Sequence, residues 1–155
     1  MPTIDQRLKK LNITLTQPSK AVANYKGYSV VGNLVIVSGQ LPLEEGAVVY
    51  KGHVGSDVSL EQGQAAAKLC AVNILSQLNA ALEGDWSKLD SCVRLGGFVA
   101  ACKDFTDHPK VINGASDLMV EVLGEKGRHA RAAVGVSSLP LGACVEVEAI
   151  FSVKL

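Results

Sequence analysis

Apolar residues recur along this chain in two rhythms, and each change of rhythm marks a strand giving way to a helix. YSVVGNLVIVSGQ, residues 28–40, holds two β-branched runs divided by Gly32-Asn33, a two-residue hairpin signal. Behind the turn Glu44-Glu45-Gly46, Val48 to Val54 predicts a weaker strand. From Ser59 the spacing lengthens: Leu60, Ala67, Ala71, Ile74, Leu75, Leu78 and Leu82 fall at helical steps on one stripe. Ser59 with Gln62 predicts a capping box, and Gly84 predicts the stop. Leu89 to Cys102 returns to a strand pattern, in which Gly96-Gly97 predicts a bulge or a close backbone approach. A second helix is predicted from Pro109, with Val111, Ala115, Leu118 and Val122 facing the core and Gly124 and Gly127 ending it. Leu8, Leu11 and the Lys9-Lys10 pair predict a short amphipathic helix at the domain's edge.

The last two runs lie in RAAVGVSSLPLGACVEVE, residues 131–148. If they pair as a hairpin about Pro140 and Gly142, Arg131 and Glu146 come near one another, across the ladder or through a neighbouring subunit. In the final strand Val145, Val147, Ala149, Phe151 and Val153 alternate to one side, with Glu146, Glu148, Ile150 and Ser152 on the other. Two helices against a mostly β chain predict an α+β sheet covered on one face. The mixed second face predicts subunits that meet and leave a polar cleft between them.

Composition narrows the function. The 155 residues suit one domain, with no repeat or linker in the pattern. Zero net charge counts against a phosphate-backbone binder, and 5% aromatics against stacking of single-stranded RNA. No apolar run is long enough to span a bilayer and the amino terminus has no signal-peptide pattern, so a cytoplasmic protein without a membrane partner is expected. Cys70, Cys92, Cys102 and Cys144 are dispersed, as reduced thiols would be. His53, His108 and His129 form no ligand pattern, and no metal is expected.

The runs VGNLVIVSGQLP, FVAACKDF and HARAAVGVSSLPLGACVEVEAI together resemble the reactive-intermediate (enamine/imine) deaminase family, also called RidA/YjgF or L-PSP endoribonuclease. The resemblance runs from about Tyr25 to the carboxyl terminus and is similar to a longer branch, with residues 1–20 as an amino-terminal extension to the single domain. It implies a chorismate-mutase-like α+β fold of the bacillus type, a homotrimer with clefts between subunits, and no cofactor. It further implies hydrolysis of 2-imino acids, such as that formed from 2-aminoacrylate, to 2-keto acids and ammonia. Carried over by position, Arg131 would hold the substrate carboxylate and Glu146 would position the attacking water. Tyr25, Ser38 and Gly39 would line the cleft, and Asn113 resembles an asparagine of the family's second helix. The residue two after the arginine, often Cys in these deaminases, is Ala133 here, and the usual Gly-Pro before the tyrosine is Ala23-Asn24.

The chemistry of these residue types fits those roles. A guanidinium stays charged and offers a planar fork to a carboxylate; its other reading is a structural ion pair. Imine hydrolysis needs a placed water and a group that moves protons, which one carboxylate can supply. Glu148 shares the face of Glu146 and reads as a structural acceptor. Tyr25 either closes the cleft or packs, and Gly39 either donates its N–H to an anion or permits a tight strand end. Ser38 has no histidine at a position suggesting a base, so it is not expected to be a nucleophile. Against this enzyme stand a non-catalytic trimer that binds small carboxylates or keto acids and, less favoured, a ribonuclease.

Overall fold

The computed structural model describes residues 1–18 and 23–155, so residues 19 and 20 of the extension lie outside the described residues. In chain order the elements are α1 (Ile4–Lys10), β1 (Tyr28–Val31), β2 (Leu34–Gln40), β3 (Leu43–Glu44), β4 (Ala47–Val48), α2 (Leu60–Ala81), β5 (Leu89–Ala100), α3 (His108–Leu123), β6 (Ala130–Val136) and β7 (Val145–Val153). Among the described residues five strands form one mixed sheet in the order β1-β2-β7-β5-β6, and β3 pairs with β4 in a separate two-stranded sheet. Helices α2 and α3 cover one face, and α1 packs at the edge against α3.

The periodic stripes become the core. Ala67, Ala71, Ile74, Leu75, Leu78 and Leu82 of the first stripe are fully buried, as are Val111 and Ala115 of the second, and Leu60 is partly buried. They meet Val145, Val147 and Phe151 of the last strand, so the side assigned to the apolar alternation is the helix side. The capping box forms as read: Gln62 N–H donates to Ser59 Oγ at 3.1 Å and Ser59 N–H to Gln62 Oε1 at 3.0 Å. The second helix starts one residue earlier than its proline, with Asp107 as cap.

Two expectations are corrected. Beyond Ala47–Val48 the run to Val54 is not a strand; Lys51 and Val54 make only isolated bridges. Tyr50 at φ 58° and Gly52 at φ 121° turn the backbone out of any ladder. The second correction matters more, because β6 and β7 do not form a hairpin. Strand β6 runs parallel to β5 after the α3 crossover, while β7 inserts antiparallel between β2 and β5. Burial explains the choice. All five odd positions of β7 are buried, which a central strand satisfies, whereas β6 is partly exposed along its length and suits an edge.

Gly96-Gly97 proves to be a close approach, since the register shifts of β5 lie nearer its start, between Leu89 and Ser91 and between Cys92 and Arg94. A Cβ on Gly97 would stand 2.6 Å from both Cδ1 and Cγ1 of the buried Ile112, so the glycine lets α3 settle onto the sheet. Gly97→Ala is therefore expected to destabilise the fold by roughly 1–3 kcal/mol through overpacking. Urea unfolding measures this, and trimming the neighbour in Gly97→Ala/Ile112→Val should recover part of the loss.

Candidate functional site

The sheet face away from the helices carries the site. Between Val37 and Gln40 of β2 two residues, Ser38 and Gly39, oppose the single Glu148 of β7, an insertion that bends the strand and re-aims its side chains. Ser38 uses this position to hold the preceding segment: its hydroxyl donates to the Lys26 carbonyl and its N–H to Gly27 O at 2.9 Å. That segment places Tyr25 at the rim. With its hydroxyl proton so engaged, Ser38 is a brace in this geometry. Tyr25, Ser38, Gly39 and Glu146 thus line one open cleft of about 660 Å³.

Gly39 has a specific reason to lack a side chain. A Cβ there would fall on the Glu146 carboxylate, with Cδ 2.9 Å and Cγ 3.2 Å away. The carboxylate lies over bare backbone, and any larger residue would displace it. Glu146 is partly buried, and burial raises its pKa above the ordinary glutamate value, with the Glu148 charge adding to the rise. Its carboxyl therefore keeps a proton to higher pH than a free side chain would. Glu148→Gln removes the like charge but leaves the burial, so the Glu146 titration should move partway down. Carbon-13 NMR of the labelled carboxyl measures the shift directly.

Phe98, Leu139 and Lys26 of this cleft escaped the reading of the sequence, whereas Glu148 reads there as a structural acceptor on the face of Glu146. Phe98 reaches it because β5, not β6, pairs with β7, setting Phe98 opposite Glu146. Leu139 comes from the loop between β6 and β7, which His53 ties down through Nε2 to the Ser137 carbonyl at 2.7 Å. Lys26 and Glu148 complete its charged lining. The alternation of β7 is the signal that places Glu148 on this face; nothing local marks Leu139.

Arg131 is elsewhere. Its β6 position pairs with Leu95, and its side chain turns to the helix side, where Nη1 donates to Ser116 Oγ at 3.1 Å and Nη2 to the Pro109 carbonyl at 3.2 Å. Glu146 lies on the opposite face and two strands away, a lateral separation of about 10 Å. Within one chain the two cannot face a common ligand. Among the described residues no carboxylate pairs with Arg131, so its neutral acceptors orient the cation without cancelling it. Ala133 follows on the same side of β6, partly buried against the core.

Asn113 joins neither group; it borders a groove between α2 and α3 with Gln64 and Lys68. Among the described residues no cluster of three or more His, Cys, Asp or Glu could hold a metal ion, and no helix is long and apolar enough to cross a membrane. The cysteines are free thiols. Burial pushes Cys92 up to about 12 and Cys144 to about 11, which keeps both protonated and poor nucleophiles.

A family model described as "YjgF/chorismate_mutase-like, putative endoribonuclease" matches residues 5–152. Protein TCP17 of Trypanosoma cruzi is 44% identical over 144 residues, covering 92% of this chain and 89% of that one. Among solved structures, protein Atu1372 of Agrobacterium tumefaciens, described as of unknown function, is 50% identical with a TM-score of 0.91, over 99% of this chain and 93% of its own. A Shewanella oneidensis protein called a "putative endoribonuclease" is 34% identical with a TM-score of 0.93, over 98% of this chain and all of its own.

Proposed function

The chain belongs to the YjgF/chorismate mutase-like family, and from that membership and the cleft geometry we propose that it hydrolyses enamine and imine intermediates of amino acids to 2-keto acids and ammonia, without a cofactor. The observation that carries this reading is Glu146: a partly buried carboxylate of raised pKa, laid over Gly39 in a cleft open enough for a small substrate. A general acid–base group works best when its pKa is drawn toward the working pH, and this one is shifted in that direction.

The imine carbon is already electrophilic, so the protein's task is to place water and move protons. As the water oxygen bonds to the carbon of the protonated imine, Glu146 takes a proton from it and the C=N electron pair returns to nitrogen, which becomes a neutral amine. Glu146 then gives that proton to the amine nitrogen of the carbinolamine. The C–N bond breaks, ammonia departs, and loss of the hydroxyl proton leaves the keto acid. Arg131 is the carboxylate anchor in this scheme. Because it faces away from Glu146 in its own chain, the complete cleft takes Arg131 from one subunit and Glu146 from another.

The open sheet face supports such an assembly. Ile36 and Val134 lie on it 40% and 45% exposed, beside the partly buried Ile150 and Phe98. A wet apolar stripe of this kind is a surface for another copy. The assembly we propose is a homotrimer, for which light scattering should return three times the chain mass at micromolar concentration. A monomer mass would remove both the trimer and the shared cleft.

The family's description also carries an endoribonuclease label. Among the described residues of one chain the charged lining of this cleft is two carboxylates and one lysine, and Arg131 from a neighbour would bring it only to balance, without the cationic excess that a phosphodiester backbone calls for. The deciding assay generates imino acids in situ with an amino-acid oxidase and follows keto acid and ammonia. The expected result is release faster than spontaneous hydrolysis. Unchanged release with keto-acid binding retained would instead make the protein a non-catalytic carboxylate binder.

A further inference from the structure

We propose that Ser116 and His129 are positioning residues that orient the Arg131 guanidinium for its ligand, through a hydrogen-bond chain of fixed polarity. The inference rests on the reading of Arg131 as the carboxylate anchor. His129 Nδ1 lies 2.6 Å from the Gly127 carbonyl, which can only accept, so Nδ1 carries the hydrogen. In the neutral ring Nε2 is then an acceptor. Ser116 Oγ stands 2.8 Å from it and must donate. The hydroxyl's lone pairs are thereby turned to Arg131, whose Nη1 donates to the same oxygen at 3.1 Å. Each link determines the direction of the next, from a backbone carbonyl to the guanidinium.

The chain is built on rigid parts. Ser116 and Pro109 both belong to α3, whose Val111, Ile112 and Ala115 are fully buried, and Gly127 ends the short turn that follows it. The guanidinium is thus held at both terminal nitrogens by one packed helix. An arginine left free would lose its rotamer freedom on binding, whereas one already fixed keeps more of the interaction as affinity. Neutral anchors suit this purpose better than a carboxylate, which would fix the side chain and also compete with the ligand's charge. Within one chain neither Ser116 nor His129 lines the cleft of Glu146, and the hydrogen-bond chain links them to the site through Arg131.

Calorimetric titration of pyruvate and 2-oxobutyrate into the full-length protein tests this. Ser116→Ala should weaken binding about 2- to 10-fold, the scale of one side chain left to be immobilised by the ligand. Ser116→Thr should restore most of the affinity, and His129→Leu, which removes the acceptor behind the serine, should repeat the loss. In an Arg131→Ala background Ser116→Ala should have no further effect, a coupling that a general weakening of the fold would not produce. If Ser116→Ala and His129→Leu bind like wild type while Arg131→Ala does not, the positioning chain is wrong and the anchor stands. Additive losses in the double variant also overturn it. If Arg131→Ala itself binds like wild type, the anchor falls and the chain with it.

Discussion

Replacing Glu146 with glutamine is expected to slow imine hydrolysis about 10²- to 10⁴-fold, the usual contribution of a placed acid–base group. The amide keeps the shape that fits over Gly39 but cannot take a proton from water. Keto-acid affinity should change little, because binding in this account rests on Arg131. Single-turnover kinetics beside calorimetry separates the two quantities. Equal losses in both would make Glu146 a wall of the pocket. Stability supplies an independent check. The folded protein raises the Glu146 pKa, chiefly by burial, so the protonated form favours folding and that contribution is lost as pH rises through the raised value. At pH above the raised value the charged carboxylate opposes folding, and there Glu146→Gln should unfold at an equal or higher temperature than wild type. At pH well below the glutamate range the difference should vanish.

Arg131→Ala is expected to cost roughly 2 to 5 kcal/mol of carboxylate binding, the scale of truncating a charge-assisted pair in a partly dry cleft. Arg131→Lys should recover only part, since an ammonium cannot offer the planar fork. The fold should survive. Arg131 sits on an edge strand, and its removal leaves Ser116 still bonded to His129. Titration of pyruvate into the three proteins measures the effect, and thermal melts confirm that the variants remain folded.

How legible this was from the chain depended on distance. Features set by neighbours along the sequence were readable: the Ser59–Gln62 cap, the Gly32-Asn33 hairpin, the helical stripes and the two sides of β7 all follow from residues within a few positions of one another. What depended on long-range pairing was not. The runs of β6 and β7 look equally strand-like, and only the burial each ends up with, edge against centre, separates them. Reading them as a hairpin brought Arg131 and Glu146 together by the wrong route.

The site shows the same division. Ser38 and Gly39 stand out as a pair, yet their effect comes from the register shift that sets both against Glu148. Asn113 and Ser116 lie less than one turn apart on α3, and that rotation decides that Ser116 meets Arg131 while Asn113 opens onto the groove beside α2. No local pattern distinguishes them.

The central claim is that one cleft is built from two chains, with Arg131 of one and Glu146 of another. Mixing separately purified Arg131→Ala and Glu146→Gln proteins, under conditions where subunit exchange is verified by mass, tests it most directly. Each variant alone should be nearly inactive. In equal mixture, random exchange within a cyclic assembly should leave about a quarter of the clefts with both groups intact, and activity should return to about that fraction of wild type. An exchanged mixture as inactive as its parents would contradict the account, because it would mean that both groups must come from the same chain.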